Sequence, residues 1–403
     1  MNNRFLIHPG IPVKVTTRLN LRKLYSIYLG LLPLLMFVRF PFTDYGFGTI
    51  LSLLFLPYVI GMSVNSGRTV NRDDSGLAIF FLYIMARSIG NFSSFMLYGI
   101  AFVHILCVHV SADWNSLKKT IIAVSAVSSV VIAIQRFLLF FGVHASFLIN
   151  DLLLEEFRET SSVYSGDMMN RVSGLFIEPS HFSEYALVGL ILLLANMRKN
   201  ETKKRDYVIV AVICLGILGS TSGIGLIGMI AIVVYHILFI RYKGIYPFVV
   251  RLLILVILVA AGGALLYAIP LTRLSFLRII GKVDDYNAVW GRTVHLSYYL
   301  NQLSGKTEWI FGKGVYEFEY YLLGFAGIIY QYGYCGLALF FFSLFTYILK
   351  KNRVVIMLCL LYGGFLFVTN TTGFLNMIFY FCVICSAQAY YRNHKTDDGG
   401  KIK

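Results

Sequence analysis

Apolar stretches of bilayer length follow one another along almost the whole chain, separated mostly by short basic connections. Such a pattern leaves few folds open. In hydrocarbon every backbone N–H and C=O needs an internal partner, and a helix supplies one for each. A span takes about 20 apolar residues. Read on that basis, segments fall near 24–42, 47–64, 75–90, 92–110, 119–143, 175–196, 207–219, 223–240, 249–269, 323–349, 354–370 and 373–391. The expected fold is an all-α, polytopic membrane protein of about twelve transmembrane helices, with residues 1–403 forming a single membrane domain. Composition agrees, since 58% of the residues are hydrophobic and only 14% are charged. A soluble chain of this length could not cover that much apolar surface.

Residues 1–23 carry Arg4, Lys14, Arg18, Arg22 and Lys23 without the short apolar core and cleavage site of a signal peptide. The first span is therefore expected to stay in the mature protein. Lys and Arg concentrate in the loops that follow every second span, at 65–74, 111–119, 197–206, 241–251 and 350–353, and in both tails. By the positive-inside rule those loops and both termini are expected to be cytoplasmic. The net charge of +15 is thus spread over loop ends, which argues against a nucleic-acid partner. Cys107, Cys214, Cys335, Cys359, Cys382 and Cys385 lie within or at the ends of apolar segments. They read as small buried side chains rather than a disulfide framework.

Two loops on the outer side are long, roughly 144–174 and 270–322. Loops of that length usually carry function. The run 150–160 suggests a short helix capped by Asn150 or Asp151, and 272–282 and 291–303 suggest helices lying in the membrane interface. Outward cations are Arg39, Arg87, Arg136, Arg171, Arg273, Arg278 and Arg292. Guanidinium groups suit bidentate contact with phosphate oxygens, so Arg171, Arg292, Arg278 and Arg136 are candidate anion ligands. Arg39 and Arg87 are expected to snorkel from helix ends. Arg136, about two turns inside the outer end of its helix and beside Gln135, either lines a cavity or snorkels as well.

The densest polar cluster is RVSGLFIEPSHFSEY at 171–185. Pro179 favours a helix start at Glu178-Pro179-Ser180, whose unpaired amides and positive dipole suit an anion. Glu178 and His181, three residues apart, share a helical face and could act as general base toward a hydroxyl. The alternative is an N-cap glutamate beside an interfacial histidine. The turn at 219–228 is expected to have Ser220, Thr221 or Ser222 as the cap of the following helix. Asp284-Asp285 has no further ligand nearby in sequence, so no metal is expected. Tyr316, Tyr320 and Tyr321 fit an interfacial aromatic belt better than sugar stacking.

Four pieces taken in order resemble the bacterial O-antigen and capsule repeat-unit polymerases (Wzy type), which are related to the O-antigen ligases. They are R-x-S-G-L-F-x-E-P-S-x-F at 171–182, S-x-S-G at 220–223, G-R at 291–292, and F-G-K-G at 311–314 followed by Q-Y-G-Y-C-G at 331–336. The resemblance implies an architecture similar to C-type glycosyltransferases. It implies location in the bacterial cytoplasmic membrane and no cofactor. Its partners would be undecaprenyl-diphosphate-linked glycans as donor and acceptor, and a chain-length regulator. By the same resemblance, Arg171 and Arg292 would neutralise the leaving diphosphate, and Glu178 or His181 would orient or deprotonate the acceptor. Ligases carry a histidine eleven residues before the glycine of the last motif, where Leu322-Leu323 stands here. That favours polymerase over ligase. A lipid-linked sugar flippase or transporter is the rival outside the enzymes.

Overall fold

Asn20, Asn91, Asp113, Ser222 and Asn352 each stand just before an apolar run, and each accepts a backbone N–H from the first turn that follows. A capping oxygen satisfies one of the amides that a helix start leaves open. In the computed structural model of the chain, the described residues are 20–41, 43, 45–66, 74–143, 145, 153–155, 171–197, 203–236, 293–315 and 318–398, with scattered positions between 249 and 277. The helices are α1 (Leu21–Leu35), α2 (Phe47–Ser66), α3 (Ser75–Arg87), α4 (Phe92–Ser111), α5 (Trp114–Phe140) and α6 (Pro179–Asn196). They continue as α7 (Lys204–Ser220), α8 (Gly223–Tyr235), α9 (Leu296–Leu300), α10 (Lys306–Phe311), α11 (Gly324–Ile348), α12 (Arg353–Phe365) and α13 (Phe374–Asp398). Among the described residues no strand forms, and the extended segments meet in isolated bridges at Val38–Leu153 and Arg39–Gly46.

Five helices are long and apolar enough to cross a membrane: α2, α4, α5, α11 and the 374–393 stretch of α13. Their outer faces carry bare apolar side chains, with Leu54 66% and Phe137 64% exposed. Such exposure suits lipid rather than water. α3, α8 and α12 are apolar but shorter. α6 is 18 residues long, and its first two turns hold Ser180, His181, Ser183 and Glu184, which lower its hydropathy.

The structure shifts several expected boundaries. The first apolar segment, read to residue 42, is helical only to Leu35, and its end bends into the bridged loop 36–47. Phe37 leaves the helix line to pack with Leu153 and Ile177. The fifth helix starts at Trp114, earlier than residue 119, because Asp113 caps it. There Asp113 N–H donates to Ser26 Oγ at 2.6 Å and Arg22 Nε donates to the Ala112 carbonyl at 3.0 Å, clamping the α4–α5 corner to the start of α1. The helix suggested at 150–160 and the interfacial helix suggested at 272–282 lie mostly outside the described residues. Of the run 291–303, Leu296–Leu300 form the short helix α9.

α6 is the centre of the bundle. It packs against α5, α7, α8 and α12, and is buried almost continuously from Pro179 to Leu193. Between helices in lipid there is little hydrophobic driving force, so close approach through small residues has to supply the packing. Gly189 of α6 faces Ser125 of α5, Gly216 of α7 faces Ser129 of α5, and Gly225 of α8 faces Ser183 of α6. A side chain at any of these glycines would strike its facing serine.

Candidate functional site

The segment entering α6 is set by one glycine and one glutamine. Gly174 has φ +66°, and a Cβ there would sit 2.8 Å from the Ser128 carbonyl. Gln135, buried near the end of α5, accepts the Gly174 N–H at 2.9 Å and donates to the Ala145 carbonyl at 3.0 Å. One side chain thereby holds both ends of the 144–174 loop. α6 then begins as expected, with Glu178 as N-cap and Pro179 at its first position. Glu178 does not cap through its own side chain; Ser180 Oγ donates to its Oε2 at 2.6 Å.

The His181 ring stacks on Phe37 at 5.0 Å and 20°, which links the 36–47 loop to the helix. His181 lines a small cleft of about 20 Å³ with Glu184, Tyr185, Asn376 and Tyr380 among its walls. The space holds roughly one water and no sugar. The residue that shares a cleft with His181 is therefore Glu184, one turn further on and only 5% exposed, rather than Glu178. The Tyr380 hydroxyl hydrogen-bonds the Glu184 side chain. Glu178 and His181 share a helical face by their spacing, and His181 and Glu184 stand in the same i, i+3 relation. Asn376 and Tyr380 come from α13, far along the chain, and had no local signal.

Arg171 is half-buried at the start of this segment. Arg136 reaches across to the α7–α8 turn, where Nε donates to the Gly219 carbonyl at 2.6 Å and Nη2 to Thr221 Oγ1 at 3.3 Å. It thus serves the end of α7, a role that neither cavity lining nor snorkelling describes. Thr221 has φ +56°, and Ser222 is the cap of α8, accepting the Gly225 N–H at 3.4 Å. Arg278, Arg292, the Gly291-Arg292 pair, Asp284, Asp285 and Tyr316 lie outside the described residues. Arg39 and Arg87 do more than snorkel: Arg39 Nε donates to the Thr43 carbonyl at 3.0 Å, and Arg87 Nη2 to the Gly312 carbonyl at 2.7 Å.

The two last motifs turn out to be one unit. α11 breaks at Gly333, with φ +68° and ψ −175°. The F-G-K-G segment lies directly on the break. A Cβ on Gly312 would strike the backbone of Gln331 and Tyr332, and one on Gly333 the backbone of Ile310 and Phe311. Lys313 N–H donates to the Tyr330 carbonyl at 2.8 Å, Gly314 N–H to Gln331 at 2.9 Å, and the Tyr83 hydroxyl of α3 to Tyr332 at 2.7 Å. Carbonyls opened by the break are closed again by neighbours, as a break inside a bilayer requires. Beside it α9 and α10 form an aromatic cap: Tyr320 N–H donates to the Tyr299 hydroxyl at 2.9 Å and the Tyr320 ring stacks on His295 at 4.5 Å. Among the described residues no group of three His, Cys, Asp or Glu is placed to hold a metal. A scan against protein-family models found no match, and no curated protein matches the sequence.

Proposed function

We propose that this protein is a polysaccharide repeat-unit polymerase working at the outer face of the bacterial cytoplasmic membrane, with about twelve spans and both termini cytoplasmic. A hydroxyl of one carrier-linked repeat unit attacks the anomeric carbon of the growing glycan. The bond from that carbon to undecaprenyl diphosphate breaks, and the diphosphate leaves with the bonding electrons. His181 or Glu178 takes the hydroxyl proton, and Arg171, with Arg292 and Arg278 of the second long loop, offsets the charge on the diphosphate. Arg136, tied to the α7–α8 turn, is a support for this site rather than a ligand.

The observation that carries the reading is the placement of its motif residues at interruptions of helix. Gly174 and Glu178 form the entry to α6, 220–223 form the α7–α8 turn, and 311–314 close the break in α11. Irregular backbone at membrane depth is tolerated where it serves a cavity or a site. The same break in α11 favours a second reading, a lipid-linked sugar flippase, since transporters place broken helices at substrate sites. Closure of the Tyr330, Gln331 and Tyr332 carbonyls by protein donors argues for the first reading, because those carbonyls are not left open to a substrate or ion.

The test is a deletion strain complemented with Arg171→Ala, Arg292→Ala or wild-type protein, followed by gel analysis of surface glycan. Loss of polymerase leaves carrier or lipid A core bearing one repeat unit and no ladder. Both variants are expected to give that single-unit pattern while the protein accumulates normally in the membrane. Complete absence of surface units in the deletion strain would mark a flippase or ligase and end the polymerase reading.

A further inference from the structure

An apolar groove lies on the far side of the Gly333 break from the aromatic cap. Helices α11 and α12 diverge there to leave about 500 Å³, within the 300–1,000 Å³ range of ligand pockets. Its walls include Phe341, Phe345 and Ile348 of α11 and Leu360, Gly363 and Gly364 of α12. Glycine makes the room. A Cβ on Gly364 would meet nothing within 4 Å, and one on Gly363 would only touch Leu344 and Phe341 at ordinary distances. Phe345 is 51% exposed and Leu360 55%, so the groove opens on the apolar outside of the bundle.

At one end the groove runs into a turn, 349–352, that carries two lysines and an asparagine after Leu349. Ile348, in the wall, is followed within one turn by Lys350, Lys351, Asn352 and Arg353. The turn has a fixed shape: Lys351 has φ +57° and its N–H donates to the Ile348 carbonyl at 3.1 Å, while Asn352 Oδ1 accepts from Val354 at 3.0 Å and Val355 at 3.2 Å. Lys350, Lys351 and Arg353 are exposed.

We propose that this groove and turn form a binding site for one anionic glycerophospholipid of the bilayer. Its acyl chain lies along the α11–α12 groove and its headgroup phosphate meets Lys350, Lys351 and Arg353. The apolar length and the cationic end match the two parts of such a lipid, and basic pockets between membrane helices recognise anionic headgroups. The site stands apart from the glycosyl-transfer reading and does not depend on it.

The experiment uses the full chain purified in a neutral detergent. Thermal unfolding is followed with added phosphatidylglycerol or with phosphatidylcholine of the same acyl chains, and native mass spectrometry counts retained lipids. Phosphatidylglycerol is expected to raise the midpoint by about 2–4 °C over phosphatidylcholine, the scale of a ligand held above its dissociation constant. Gly364→Phe, which fills the groove, and the triple change Lys350→Gln, Lys351→Asn, Arg353→Gln should each abolish that difference and the retained lipid. Lys204→Gln, a basic change elsewhere, should leave both intact. Equal shifts from the two lipids would overturn the proposal. So would an equal shift from inorganic phosphate, a preference for undecaprenyl phosphate over phosphatidylglycerol, or a change of oligomer size in place of lipid loss in Gly364→Phe.

Discussion

At the scale of single residues, polar side chains here act mainly on backbone. Gln135, Arg136, Arg87 and Tyr83 each bind main-chain groups of a turn or break, so the non-helical parts of the bundle have defined donors and acceptors. Asp113 does the same for α5 and gives a pH prediction. Partial burial pushes its carboxyl upward, but hydrogen bonds from Ser116, with Arg22 and Lys23 near, outweigh that and hold it below the usual value of 3.8. A carboxylate with a depressed folded value stabilises fully above its unfolded value, and that contribution fades as pH falls through the folded one. Asp113→Asn keeps a capping oxygen but not the charge. Wild type should therefore unfold at a higher temperature than the variant above about pH 4, and the gap should close as pH falls further. A gap unchanged from neutral pH to pH 3 would count against the charge.

At the scale of elements, the interrupted helix α11 depends on α3 and on the segment after α10. Neither half of the break closes its own carbonyls. Removing the hydroxyl in Tyr83→Phe leaves the Tyr332 carbonyl without its 2.7 Å donor. An unsatisfied buried acceptor costs about 1–3 kcal/mol, so the unfolding midpoint should drop measurably. Tyr334→Phe, on a ring 52% exposed, should stay within about 0.5 kcal/mol of wild type. Equal effects of the two changes would show that the α3–α11 bond carries no stability. The close serine–glycine contacts of α5, α6, α7 and α8 belong to the same scale. They let α6 sit at the centre with Glu184 enclosed.

At the scale of the whole molecule, orientation decides which chemistry the chain can reach. The cysteines among the described residues are free and all at least partly buried, which keeps background low for thiol labelling. With a membrane-impermeant maleimide on intact cells, Asn301→Cys should label and Lys204→Cys should label only after lysis. Both positions are exposed. The reverse pattern would invert the topology and move the entry of α6 to the cytoplasm, away from any carrier-linked glycan.

The sequence by itself determined the all-helical, membrane-suited class, a cap for α8 within 220–222, and the start of α6 at Pro179. These depend on local pattern, on capping geometry and on the length of apolar runs, which neighbours in the chain settle among themselves. Tertiary structure decided the rest. It bent the first apolar run away at Phe37, grouped His181 with Glu184 and Tyr380, committed Arg87 and Arg136 to turns, and joined 311–314 to 331–333 as one interlock. Those outcomes depend on contacts between residues tens to hundreds of positions apart. Local periodicity records which face of a helix is apolar, and it carries no information about which distant carbonyl a guanidinium will meet.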